Sequence, residues 1–219
     1  MNVVLKVSGE LLNNKDVLNN LINNIKKYKD NNKISIVVGG GNYFRGRDHL
    51  DMKELNRDTI GMLASVINSL TLDNYFTNNN IPSIIFTPFI FPNLLNSYSN
   101  EDLLRLYEDH IIIFGGGIGK CGVSTDTKCF EVSKLLNASM IIKLTNVDGI
   151  YNKDPNKYED ATILKHLTYD EVLNNKLNVM DLGMIEACKI NNIKIKVMNF
   201  NNIDNLFNDE EGSIICMEK

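Results

Sequence analysis

The sequence predicts an α/β fold: a three-layer αβα sandwich with helices on both faces of a mostly parallel central sheet. Short, near-continuously apolar strands alternate with helix-period segments along the chain, as expected of strands buried on both faces beneath crossover helices. Polar and glycine-rich segments follow the strands, where ligands bind in such sheets. No linker rich in Pro, Gly or Ser divides the 219 residues, so one domain is expected.

Each element has its own signal. Residues 3–7 form a buried-type strand, after which Leu18, Leu21, Ile22 and Ile25 recur at helical spacing. A strand follows at 34–38, and a long helical pattern runs through 52–76 by way of Met62, Val66, Ile67 and Leu70. A strand at 84–87, a short helix at 101–107 and a strand at 110–114 come next. The helix expected at 125–136 opens with Ser124 or Thr125 as its cap. A strand at 139–144 leads into a polar loop with Asp148-Gly149 and Asp154-Pro155, then helices at 169–173 and 180–191. Strands at 194–198 and 213–217 complete the pattern.

Composition excludes several classes. A hydrophobic content of 43% over this length supports a full core. Net charge is −4, pI is about 5.4, and no block of like charges occurs, which disfavours a nucleic-acid binder. Apolar runs such as 111–114 are too short to span a bilayer. Met1 leads directly into a strand without a basic-then-apolar leader, so a cytoplasmic location is expected. Cys121, Cys129, Cys188 and Cys216 form no CxxC pair and have no His at ligand spacing; reduced thiols fit better than zinc. His49, His110 and His166 lie beside no Ser, Cys or Asp constellation and read as structural.

The chemistry sits at the strand ends. Residues 37–46 read Val-Val-Gly-Gly-Gly-Asn-Tyr-Phe-Arg-Gly. Consecutive glycines after a strand expose backbone N–H groups with no side chains in the way, which suits phosphate. A second such element, after the strand at 111–114, begins Gly-Gly-Gly-Ile-Gly-Lys-Cys-Gly. Two cradles imply two phosphate-bearing ligands and transfer between them. Lys6-Val7-Ser8-Gly9 and Lys143-Leu144-Thr145 add two further polar strand ends.

Two familiar motifs fail on inspection. Residues 117–122 satisfy GxGxxG, but the next strand ends in Lys143-Leu144-Thr145, where a dinucleotide site needs an acid for the ribose. Gly119-Lys120 hints at a P-loop, yet Phe114 stands where its first glycine belongs and Cys121 replaces the magnesium-binding hydroxyl.

Six segments, in order, resemble the bacterial-type UMP kinases of the amino-acid-kinase fold. Lys6 to Gly9 resembles the family's KxSG, and 39–46 its GGGNxFRG. Residues 57–64 resemble its acidic helix start followed by GMLA, and Ser124-Thr125-Asp126 the end of its acceptor loop. Residues 143–149 resemble KxTxVDG, and Val179-Met180-Asp181 a late VMD. The resemblance implies γ-phosphoryl transfer from ATP to UMP, with Mg²⁺ carried on the ATP phosphates rather than by a protein cage. It also implies an acceptor-side lobe of about 1–140 and an ATP-side lobe of about 141–219.

It further implies roles for particular residues. Lys6, Arg45 and Asp126 would be catalytic, with Asp126 organising lysine and Mg²⁺. ATP would meet Lys6, Val7, Ser8, Gly9, Gly41, Arg45, Lys143, Thr145, Tyr151 and Asp154. UMP would meet Gly40, Asp58, Ile118, Gly119, Lys120, Cys121, Gly122, Val123, Ser124 and Thr125, while Asp181 tunes the phosphate site. Singly, these residues have plainer readings. Lys6 is a solvated strand end, Asp58 a helix cap or first-turn acid, Asp126 a first-turn stabiliser, Asp154 a turn residue and Asp181 a helix N-terminal acid. A homohexamer, assembled from dimers through the helix near 61–72, and inhibition by UTP belong to the same implied picture. A related kinase acting on a carboxylate, carbamate or other phosphate is the enzyme alternative, and a nucleotide-binding regulator the non-enzyme one. Two departures stand out. Only residues 11–16 separate Glu10 from the first helix, where many relatives carry a longer segment implicated in GTP activation. Asn146 replaces a lysine common in relatives, removing one charge near ATP.

Overall fold

The structure, a computed structural model, describes residues 1–96, 98–177 and 179–218. At its centre lies β1 (Asn2–Val7), paired in parallel with β2 (Lys33–Val38) on one side and β5 (Met140–Thr145) on the other. Beyond β2 the sheet continues through β4 (Ile111–Phe114) to β3 (Ser83–Phe86), all parallel. Beyond β5 lies β9 (Lys194–Asn199), then β10 (Ser213–Cys216), antiparallel to β9, and β8 (His166–Thr168) at the edge. The order is β3-β4-β2-β1-β5-β9-β10-β8.

Strand alternation divides the core into two layers. Val3, Leu5 and Val7 of β1, with Met140, Ile142 and Leu144 of β5, face α1 (Lys15–Tyr28) and α2 (Glu54–Asn78). Val4 and Ile141 face the opposite layer, with Cys129 and Val132 of α4 (Thr125–Leu135) and Ile185 and Cys188 of α6 (Leu182–Ile190). The short helices α3 (Asn100–Leu106) and α5 (Tyr169–Asn174) add Leu103 and Val172 to that second layer. Successive strand side chains point to opposite faces, so Lys6 and Lys143 emerge on the α4 side together.

The expected strands and helices form within a few residues of their predicted limits. The loop expected after β5 is more ordered than its polarity implies. It contains β6 (Ile150–Tyr151) and β7 (Ile163–Leu164), an antiparallel pair, and leads into β8. Strands of two or three residues are too short to show a period. The strand β9 also carries an unannounced charge: Lys196 is fully buried and donates to the carbonyls of Leu206 at 3.0 Å and Asn208 at 2.6 Å. Those acceptors compensate the burial of an ammonium, and burial still lowers its pKa.

Candidate active site

Two lysines and one aspartate converge at the carboxyl ends of the central strands. Lys6 and Lys143 are register partners across β1 and β5. Lys6 donates to Asp126 Oδ1, and Lys143 Nζ lies 4.0 Å from Asp126 Oδ2. Lys143 also donates to the Val179 carbonyl. Side-chain exposures of 17% for Lys6, 11% for Asp126 and 23% for Lys143 leave the cluster largely shielded but reachable from one side. Burial lowers the Lys143 pKa, the Lys6 charge lowers it further, and Asp126 opposes both. Asp126 is the second residue of α4, near the positive end of that helix. One turn on, Cys129 is fully buried, with its thiol pushed up to about 12 chiefly by burial. It stays protonated, a neutral floor under the charged cluster.

The first glycine loop meets the N-terminal half of α2. A Cβ on Gly40 would come within 2.8 Å of Ala64 Cβ and 2.9 Å of Ser65 N, so glycine is required there for close helix packing. Gly41 has more room, its nearest neighbour being Glu10 Oε1 at 3.6 Å, and its bareness faces the cleft. The Gly40 carbonyl accepts from Tyr43 N and Phe44 N, both at 3.1 Å, which closes the turn. Neither the Gly40 nor the Gly41 N–H has a partner among the described residues. Arg45 lies in the cleft but pairs with Glu10, and its Nε donates to the Gly41 carbonyl at 3.3 Å.

The second glycine loop borders the same cleft, which has a volume of about 750 Å³. Gly116, Gly117, Gly119 and Gly122 adopt φ of 80°, 57°, 73° and 72°, a left-handed region that side chains resist. Gly116 N donates to Ser65 Oγ at 2.7 Å, and Gly122 N to Asp58 Oδ2 at 2.6 Å. Ser124 is the cap of α4, accepting from Thr127 N at 3.3 Å, and it donates to Asp181. Asp181 stands at the cap position of α6 yet makes no capping bond. Its carboxylate accepts from Ser124 at the end of the second glycine loop instead, so it is an acid at the helix end that does not cap it. Asp58 likewise is not a cap or first-turn acid: α2 begins at Glu54, four residues earlier.

The predicted residues divide into those the cleft gathers and those it does not. Gly40, Gly41, Arg45, Asp58, Lys120, Gly122, Val123, Ser124, Thr125 and Asp181 line it. Ile118, Gly119 and Cys121 belong to the same loop without lining the cleft, and Cys121 Sγ lies 4.0 Å from the Leu55 carbonyl. The Val7 side chain is buried and its carbonyl accepts from Gly39 N at 3.0 Å, so its side chain is withdrawn from any ligand. Ser8 and Gly9 follow Lys6 at the end of β1. Thr145 ends β5, with Oγ1 donating to Asn146 Oδ1 at 3.4 Å. Tyr151 sits in β6, its phenol pKa raised by partial burial and then by Asp148. Asp154 is held in a turn, accepting from Asn156 N at 3.0 Å. Sequence reasoning missed Glu10, Glu54, Arg47 and Arg57, which also line the cleft. Glu10 directly follows the Lys6–Gly9 segment, the one signal that could have found it.

The amino acid kinase family profile matches residues 1–199. Uridylate kinase of Fervidobacterium nodosum is 38% identical over 221 residues, covering 96% of this chain and 94% of that protein. That of Acinetobacter baumannii is 37% identical, with coverages of 91% and 87%. The crystal structure of UMP kinase from Bacillus anthracis superposes with a TM-score of 0.92 at 27% identity, covering all of this chain and 96% of that one. UMP kinase from Ureaplasma parvum gives 0.90 at 28% identity, with coverages of 99% and 98%. The chain belongs to the amino acid kinase family, and its relatives there are uridylate kinases.

Proposed function

We infer that the chain is a UMP kinase, transferring the γ-phosphoryl group of ATP to UMP to give UDP and ADP. The observation that carries this is the placement of the Lys6–Asp126–Lys143 cluster at neighbouring strand ends, beside two glycine loops. Phosphoryl transfer needs alignment and positive charge over the moving group more than it needs covalent chemistry. Lys6 holds the transferred group, and Asp126 fixes the direction of the ammonium. Lys143, with Thr145, takes the ATP phosphates, and Tyr151 and Asp154 flank the nucleoside. Gly41 and Arg45 serve the ATP side, Arg45 exchanging Glu10 for phosphate. Gly40, Asp58 and the 118–125 loop hold UMP, with Asp58 on the uridine and Thr125 near its monophosphate.

Among the described residues, no group of three or more His, Cys, Asp or Glu side chains is arranged to hold a metal. Magnesium would arrive on the ATP phosphates, with Asp126 the carboxylate beside them. It would supply positive charge to the phosphates in transfer. The strands before about residue 140 form the acceptor side and those after it the ATP side. A homohexamer and a cytoplasmic location belong to the same reading. Ile60, Leu63, Ile67 and Leu70 leave an exposed apolar stripe on α2 that supports self-association. No described helix is long and apolar enough to cross a membrane. UTP, sharing the uridine, competes for the acceptor cleft.

Coupled ADP release with UMP, CMP, AMP and glutamate as acceptors tests the assignment. UMP should be turned over far better than the others, and equal turnover of CMP would overturn it.

A further inference from the structure

The buried face of α2 holds both glycine loops. Ser65 bonds Gly116, as described, and three residues later Asn68 reaches the loop after β2. The Asn68 amide donates to the Gly39 carbonyl and to Asn42 Oδ1, both at 2.7 Å, and Asn42 Nδ2 donates back at 3.1 Å. Only the NH₂ end of an amide can face a carbonyl, so Gly39 fixes the orientation of the pair. Asn42 also donates to Asn13 Oδ1 at 2.9 Å, in the 3-10 turn that follows β1. Gly9 closes the arrangement. A Cβ there would overlap Asn42 Oδ1 and stand 2.7 Å from Asn68 Nδ2.

The Asn68–Asn42 pair therefore ties two pieces of backbone to one helix: the end of β2 directly, and the turn after β1 through Asn13. Asn68 is only 1% exposed, and a buried amide is costly unless it is fully bonded. Leucine has the same branching and a better helix propensity, so local structure does not call for asparagine here.

We propose that Asn68 is a positioning residue for phosphoryl transfer. Through Gly39 and Asn42 it sets the Gly40 and Gly41 N–H groups relative to the Lys6–Gly9 turn. It lines no part of the cleft and acts only through the loops. This rests on the reading of those loops as phosphate cradles, given above. Alignment is what it controls, and a misplacement of about 1 Å can cost about 10² in rate.

The test compares Asn68→Leu and Asn42→Ala with Asn24→Leu, all assayed well below their melting temperatures. Asn24 is a similarly buried amide on α1, bonded to Asp204 at 2.7 Å, and lines no part of the cleft. Asn68→Leu and Asn42→Ala should each lower kcat/KM for ATP by about tenfold, the scale of one lost hydrogen bond in a positioning contact. The double variant should lose little more than the worse single one, since both break the same pair. Asn24→Leu should lose stability with kinetics unchanged. ATP affinity of the same proteins, measured by calorimetry, should weaken in parallel; it reads the cradle whichever acceptor the enzyme uses. Failure of the wild type to phosphorylate UMP would sink the functional reading alone. Wild-type kinetics and ATP affinity in Asn42→Ala, with Asn68→Leu alike or unfolded, would overturn the positioning role.

Discussion

Replacing Asp126 with Asn tests the centre of the site. The substitution keeps shape while removing the negative charge between Lys6 and Lys143 and turning one acceptor oxygen into a donor NH₂. At 4.0 Å the Asp126–Lys143 attraction alone is about 4 kcal/mol at an effective dielectric of about 20, before desolvation is subtracted. Much of that is offset by the cost of shielding the charges, and the side chains are 11% and 23% exposed, so the net loss is smaller. A stability loss of about 1–3 kcal/mol is expected, because two register-neighbour lysines are left uncompensated. The effect on rate should be larger. Lys6 loses the partner that aims it, and removing one preorganised electrostatic element typically costs about 10²–10³ in kcat. If Asp126 only stabilised the first turn of α4, the loss would be about 0.3–1 kcal/mol with turnover intact. Melting temperature and coupled ADP release on the same sample separate the two accounts. Near-normal kcat in a measurably destabilised Asp126→Asn protein would refute the catalytic assignment.

Three further outcomes follow from the geometry. Gly41→Ala should leave the melting temperature nearly unchanged and weaken ATP binding, whereas Gly40→Ala should destabilise by about 1–3 kcal/mol through its contact with α2; calorimetry and thermal melts compare them. The depressed pKa of Lys143 means its folded form gives up its proton earlier than the unfolded chain does. The stability it contributes is therefore present above the unfolded pKa and lost as pH falls through the folded one. Activity needs the charged form and runs the other way, so kcat should fall as pH rises through a value below that of ordinary lysine. A pH–rate profile of Lys143→Arg should show that limb displaced upward, and an unmoved limb would assign it elsewhere. GTP should change activity little, because the residues after Glu10 are consumed by a 3-10 turn that buries Leu11 and Leu12, and by Asn14, which caps α1. Severalfold activation on GTP titration at subsaturating ATP would show coupling through other residues.

The order of elements and the two glycine loops were legible in the sequence because each is a local signal. Period identifies strands and helices, and glycines after a strand identify bare backbone. What the sequence did not show depends on partners far apart. Lys6 and Lys143 meet only because β5 inserts beside β1, and Asp126 is 120 residues from the lysine it holds. Asp58 taken singly looked like a cap or first-turn acid, although the pattern over 52–76 already placed it inside α2, which opens at Lys53 without a side-chain cap. Glu10 gave only its position after the Lys6–Gly9 segment, and Asn68 no signal at all, since an amide inside an apolar helix is an ordinary residue until its partners are known. The segments β6, β7 and β8 escaped because their strand character comes from pairing rather than from composition.

The cleft is self-satisfied in a way that shapes how it must bind. Arg45 rests on Glu10, Asp58 on Gly122 N and Ser124 on Asp181. Groups that would meet nucleotide are thus already paired, and a ligand exchanges these bonds instead of filling empty valences. The net gain per contact is therefore the small difference between two hydrogen bonds, not the value of one made from nothing. The exceptions are the Gly40 and Gly41 N–H groups, which have no partner among the described residues and lose none when phosphate arrives. Affinity should consequently rest on the backbone cradle, and specificity on the side-chain exchanges, where a wrong nucleotide breaks a pair and fails to replace it. Substitution of Asp58 should then alter discrimination among acceptors more than it alters the affinity for phosphate itself.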